Sequence, residues 1–411
     1  MPYDAVIEID EAKSDAKHPL HCRSTPLRPP LSALLVALIA TVTSCIKPPL
    51  ILPSEEVIIE MPIIVSDIEV VWNIDTDWQR EWIYGWDETD EALWGPIGYT
   101  MPSNYEVRRY YIGAEPGGKH TEQNTDAFTI FGTSFRRNYQ FGYYDMLIWS
   151  NIDSPDGTQV LVVNDSRVDE VTATTTATRG LSRDPENREQ VTGLFNQPEI
   201  FYSTYPCDIF ISHNFEDYDY FDEVDQCWVK HLKSELQPLV YIYLVQIVLH
   251  NNDGRITGTS GDAAVSAFAA STSVNSGHTG NDPCIVYFGS RLKHDLSTPE
   301  GEVVDVIGGK LTTFGLCDMD PYWVDGRAQY NGSRADLPNY LYFTLQFSNG
   351  TSKTFIETVT DQCQSQCHGG VITVNIDCND ITPPDPDDPG SRDMFVPTIE
   401  DYEDVIYDIP M

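Results

Sequence analysis

Apolar residues recur at every second position along much of this chain, and no segment holds a helical period for three turns. In "IEVVWNI", Ile68, Val70, Trp72 and Ile74 share one face, the spacing of a half-buried strand. Residues 139–149 and 159–163 repeat the signature, parted by the turn set "SPDG". The β-branched run "VTATTTAT" (171–178) predicts another strand, and the charged residues 179–190 a surface loop. Residues 239–249, "LVYIYLVQIVL", are apolar throughout except for Gln246. A bilayer span needs about 20 such residues, so this run predicts a strand covered on both faces. "LYFTLQF" (341–347) alternates cleanly into Ser348-Asn349-Gly350, which predicts a type I′ hairpin with a return strand over 354–359. Residues 371–376 supply one more strand. The class is all-β, as two sandwiches meeting at the proline-marked break near 234–238.

The other organising feature is "LLVALIATVTSCIKPP" (34–49), an apolar run that ends at a cysteine. It is too short to span and stay, has the length of a signal-peptide core, and carries Arg23 and Arg28 upstream. Val42-Thr43-Ser44-Cys45 resembles a bacterial lipobox, which implies cleavage between Ser44 and Cys45 and a lipid on the Cys45 thiol. The alternative is an ordinary secretory signal with an incidental cysteine. The acidic leader, residues 1–15, fits neither pattern, and the Pro-rich residues 46–56 suit a spacer between lipid and fold.

The sequence of 411 residues carries 25 Lys and Arg against 63 Asp and Glu, a net charge of -38. Such a surface repels nucleic-acid phosphates, so nucleic acid is excluded as a partner. With 41% hydrophobic and 11% aromatic residues, the body is expected to fold rather than stay disordered. Apart from Cys22 and Cys45, seven cysteines remain (Cys207, Cys227, Cys284, Cys317, Cys363, Cys367 and Cys378), so at least one is a free thiol. Cys363, Cys367 and His368 lack a second pair with zinc-ligand spacing, which leaves a local disulfide or plain thiols.

Motifs for chemistry are missing. Gly308-Gly309-Lys310 is followed by Leu311 where a phosphate loop needs Ser or Thr. Gly258-Thr259-Ser260-Gly261 reads as a polar turn rather than a nucleophile elbow, and no H-E-x-x-H occurs. No cofactor is implied, and an enzyme is not expected. In "EDYDYFDEVDQ", Asp217, Asp219 and Asp222 have calcium-like spacing without the turning glycine, so a solvated loop is the default reading. Trp78, Trp82, Trp86 and Trp94 stack on sugars if exposed and pack in a core if buried; large aromatics are mostly buried.

The lipobox-like site, the all-β body, "LQPLVYIYLVQIVLHNNDGRITGTSGDAAVSAFAAS" (236–271), "GGKLTTFGLC" (308–317) and the ending "FVPTIEDYEDVIYDIPM" (395–411) together resemble the fimbrillin-like surface lipoproteins of the Bacteroidales. The resemblance implies two transthyretin-like β-sandwich domains in tandem and a lipid-anchored anchor or accessory subunit of a fimbria-like adhesive assembly in the outer membrane. Its partners would be fimbrial subunits joined by strand donation. The division it implies is a signal peptide with leader (1–44), a lipidated spacer (45–58), sandwiches at 59–235 and 236–380, and a Pro/Asp-rich linker with a final strand (381–411). Stalk subunits of such assemblies are cut after an arginine near the start. The first arginine here after Cys45 is Arg80, so a cut there would remove the lipid together with residues 57–74, which favours an uncut anchor. The competing expectation is a glycan-binding surface lipoprotein for nutrient capture, resting on the tryptophan run.

Overall fold

A computed structural model describes residues 56–65, 82–113, 125–132, 134–151, 160–176, 194–232, 234–325 and 337–387. Ser44, Cys45, Trp78 and the expected strands at 68–74 and 405–409 lie outside the described residues.

The first half of the chain forms a two-layer sandwich. One layer holds β1 (Glu56–Val65), β4 (Ser134–Gln140), β11 (Tyr220–Asp222) and β12 (Cys227–His231). The other holds β2 (Asn104–Gly113), β3 (Thr125–Phe131), β5 (Gly142–Asn151), β9 (Tyr202–Thr204), β10 (Ile209–Ile211) and β13 (Ser234–Pro238). Alternation along these strands turns Tyr105, Val107, Tyr139, Tyr144, Met146 and Leu236 into a common core. β1 pairs with both layers and joins them into one path.

The second half repeats the plan. One sheet runs β18 (Arg291–Ser297), β19 (Val303–Thr313), β14 (Tyr241–His250), β22 (Gly370–Asp377). Facing it are β21 (Ser352–Thr358), β20 (Tyr340–Phe347), β15 (Ile256–Ala269), β17 (Pro283–Gly289) and β8 (Leu194–Asn196). Tyr243, Val245, Phe268, Phe288, Leu311, Phe343 and Ile372 fill the space between. A small third sheet, β16 (Ser271–Ser273), β7 (Thr172–Thr175) and β6 (Val160–Val163), lies over a cluster of residues from both halves that includes Trp149, Phe201, Leu239 and Phe314. The helices are short: α1 (Glu88–Trp94), α2 (Tyr322–Asp325) and α3 (Thr360–Ser365).

The all-β class holds, and residues 239–249 are indeed covered on both faces. Two local expectations change. Gly258 to Gly261 is part of β15, where register shifts on both sides of Thr259 mark an irregular ladder rather than a free turn. The hairpin at Asn349-Gly350 is not type I′. Only Gly350 in that loop takes positive φ, at 80°, while Phe347 N–H bonds Thr351 O and Gly350 N–H bonds Phe347 O. That is a three-residue loop with glycine at the left-handed position, since Asn349 spends its side chain on Thr351 instead.

Candidate assembly and anchoring site

β1 is held by three partners. Its residues 56–62 run antiparallel to β4, residues 58–60 run parallel to β12, and residues 63–65 run parallel to β13. The flanks come from distant parts of the chain, and β1 separates them. A side-chain clamp crosses it. Arg136 of β4, opposite Glu60, hydrogen-bonds Asp222 of β11 and pairs with Asp225 at 2.9 Å. Arg136 and the backbone N–H groups of Val224 and Asp225 hold the Asp222 carboxyl below its ordinary pKa.

Residues 82–99 then form a strap across the outer face of the second sandwich. Along β14, Tyr241, Tyr243, Val245 and Ile247 face the core. Ile242, Leu244, Gln246 and Val248 point the other way, where Trp82, Tyr84, Ile97 and Tyr99 cover them. Buried Gln246 fixes the register: its Oε1 accepts from the N–H groups of Ile83 (2.9 Å) and Tyr84 (3.3 Å), and its Nε2 donates to Thr373. Asp87 caps α1 through the N–H groups of Thr89 and Asp90, and Asp90 returns a bond to Asp87 N–H, a capping box. Asp90 is fully buried, yet it meets Arg291 at 2.9 Å, Lys293 at 2.6 Å and the Tyr84 hydroxyl at 2.7 Å. Two glycines make room: a Cβ on Gly308 would lie 2.3 Å from the Tyr84 ring, and one on Gly289 would lie 2.3 Å from Trp94 Nε1.

Trp82, Trp86 and Trp94 therefore sit in the strap. Trp82 and Trp86 pack on the cluster around Tyr84, and Trp86 meets Trp94 with ring centroids 5.6 Å apart. Lys310 reaches the Trp86 ring and donates to Pro96 O at 2.6 Å; burial lowers its pKa to about 8. The three aspartates disperse. Asp222 goes to Arg136, Asp219 accepts from His231 N–H at 2.7 Å, and Asp217 ends a 3₁₀ turn, Phe215–Asp217. Among the described residues no group of His, Cys, Asp and Glu has metal-holding geometry. Cys207, Cys227, Cys284, Cys363 and Cys378 are free thiols, while His368 donates from Nε2 to Asp320 O at 3.1 Å and its Nδ1 lies 3.6 Å from Cys367 Sγ. No helix of the described residues is long and apolar enough to cross a membrane. Sequence reasoning missed the strap's polar anchors, because their partners lie in β14 and β18.

The described chain is thus an all-β protein of two sandwiches with a strand inserted between separate flanks. No family model and no curated protein matches its sequence. Solved structures similar to it include a candidate adhesin from Bacteroides ovatus (TM-score 0.47, 11% identity, 79% of this chain and 93% of that one). Others are a candidate polysaccharide-binding protein from Bacteroides thetaiotaomicron (TM-score 0.41, 7% identity, 78% and 91%) and the fimbrial anchor protein Mfa2 from Porphyromonas gingivalis (TM-score 0.36, 11% identity, 79% and 92%). At these scores the likenesses assign no activity to this chain.

Proposed function

We propose that the protein is a non-enzymatic surface subunit of a strand-assembled, fimbria-like adhesive structure, anchored in the outer membrane by lipid on Cys45. The observation that carries the assembly part is β1, a strand from the N-terminal side seated between β4 and β12 and clamped by Arg136. Main-chain pairing of this kind tolerates many side chains, which suits a fold completed by an extended segment. The anchoring part rests on the lipobox-like Val42–Cys45 site; a single acyl chain binds only marginally, so stable attachment implies several chains on one terminus. The test is fractionation of cells carrying Cys45→Ser or Arg136→Ala. Cys45→Ser is expected to move the protein, with any attached surface polymer, to the soluble fraction. Arg136→Ala is expected to leave it in the membrane but reduce co-purifying subunits. Retention of Cys45→Ser in salt-washed membranes overturns the anchor, and unchanged co-purification in both variants overturns the assembly role.

A further inference from the structure

The sheet that contains β14 ends at β22, and β22 ends on side chains. β22 runs parallel to β14, and in such a ladder alternate residues turn their N–H and C=O groups outward. Val371 and Thr373 are two of these. Gln366 accepts from Val371 N–H at 2.8 Å through Oε1 and donates to Val371 O at 2.9 Å through Nε2. Gln362 repeats both bonds on Thr373, at 2.8 and 2.9 Å. A primary amide offers the same acceptor and donor as a peptide group, so each glutamine supplies the pair of bonds a neighbouring strand residue would make.

The spacing makes this work. Gln362 lies in α3 and Gln366 caps it, one turn later, a rise of about 6 Å. Two residues of strand cover roughly 6.6 Å, so amides four apart on the helix meet residues two apart on the strand. Gly370 leaves the space: a Cβ there would lie 2.0 Å from Gln366 Oε1. The helix is pinned by Cys363, fully buried in the core. The facing sheet guards its own edge differently. On β21, Lys353 and Glu357 flank Phe355 on one side of the strand, opposite Leu345, Leu341 and Phe343, with Lys353 exposed, and charges on an edge strand disfavour further pairing.

We infer that Gln362 and Gln366 are a built-in stopper on a strand-acceptor edge, and that withdrawing them converts β22 into a docking surface for β22 of a second copy. The occupant follows from the edge itself. β22, "GVITVNID", carries one charged side chain, Asp377, at its far end, so two copies meet there with little of the repulsion expected from a chain of net charge -38. An edge offering the same unpaired row on both molecules is self-complementary under a two-fold axis. This inference is independent of the fimbrial reading.

The test uses the full chain with Gln362→Ala/Gln366→Ala and, separately, Gly370→Ala, which evicts the Gln366 amide by a different route. Light scattering after size exclusion is expected to show concentration-dependent self-association at least tenfold tighter than in the unaltered protein. Amide hydrogen exchange at Val371 and Thr373 is expected to be at least tenfold faster in dilute variant. Folded variants whose association and exchange match the unaltered protein overturn the inference. Should the double variant fail to fold, Gln366→Met decides, since it keeps the side-chain length but offers Val371 neither the acceptor for its N–H nor the donor to its carbonyl. Unchanged exchange at Val371 in that variant also overturns it.

Discussion

Asp90 shows how much one side chain can hold. It is a carboxylate without solvent, and its stability depends on Arg291 and Lys293, both in β18, together with the Tyr84 hydroxyl. Removing it leaves two partly buried cations sharing Asp87 as their carboxylate and loses half of the capping box. Breaking a buried pair from one side costs about 3–5 kcal/mol, so Asp90→Ala is expected to lower the urea midpoint sharply; a loss under about 1 kcal/mol contradicts this account. His278 gives a pH handle. Burial pulls its pKa down, but hydrogen bonds to Asp320 (2.9 Å) and Asp318 (3.1 Å) raise it overall. A raised folded pKa means stability fully present below the unfolded value of about 6.5 and lost as pH rises through the folded one. The stability difference between the protein and His278→Asn should therefore shrink with rising pH above about 6.5. A pH-independent difference would refute it. Neither residue stood out in the sequence, because Asp90 is one of 63 acidic residues and its partners belong to another element.

At the scale of elements, strand identity was largely legible and its covering was not. The run at 239–249 announced a strand buried twice, and β14 is one; that the second cover is a strap of aromatic residues came from tertiary structure. The tryptophans were visible at intervals of four, four and eight, but of the described ones in this run only Trp94 lies in a helix, and the seven residues of α1 are too few to show a period. The asparagine–glycine pair at 349–350 located the hairpin correctly and mistyped its turn, because Asn349 bonds Thr351 with its side chain. The strap's dependence on glycine is testable. Gly308→Ala forces Tyr84 away from β19, so tryptophan emission from the strap is expected to shift red and thermal stability to fall. Emission and melting identical to the parent would mean the ring moves aside without cost.

For the whole molecule, two sandwiches in sequence do not amount to two independent parts. β8, from the first half, extends the second sandwich beside β17, and β16, from the second half, pairs with β7. The cluster of Trp149, Phe201, Leu239, Val240 and Phe314 draws on both. Strands borrowed in each direction couple the halves, so calorimetry is expected to show a single cooperative transition; two resolved transitions would show that the crossings contribute little. The sequence marked the break at Pro238 by composition, but not these crossings, which depend on pairings between residues about a hundred positions apart.

The route of the chain through β1 and the strap has a mechanical consequence. Under tension applied from the N-terminal side and resisted through β13 and the second sandwich, the parallel pairing of β1 with β13 is loaded along the strand axis. Bonds loaded in that direction share the force and fail together, whereas bonds loaded across a hairpin open one after another. If β1 slips, the pull arrives next at residues 82–97, which Gln246, Arg291 and Lys293 of the second sandwich hold. Two fastenings in series let the first yield and absorb work while the second keeps the body tethered.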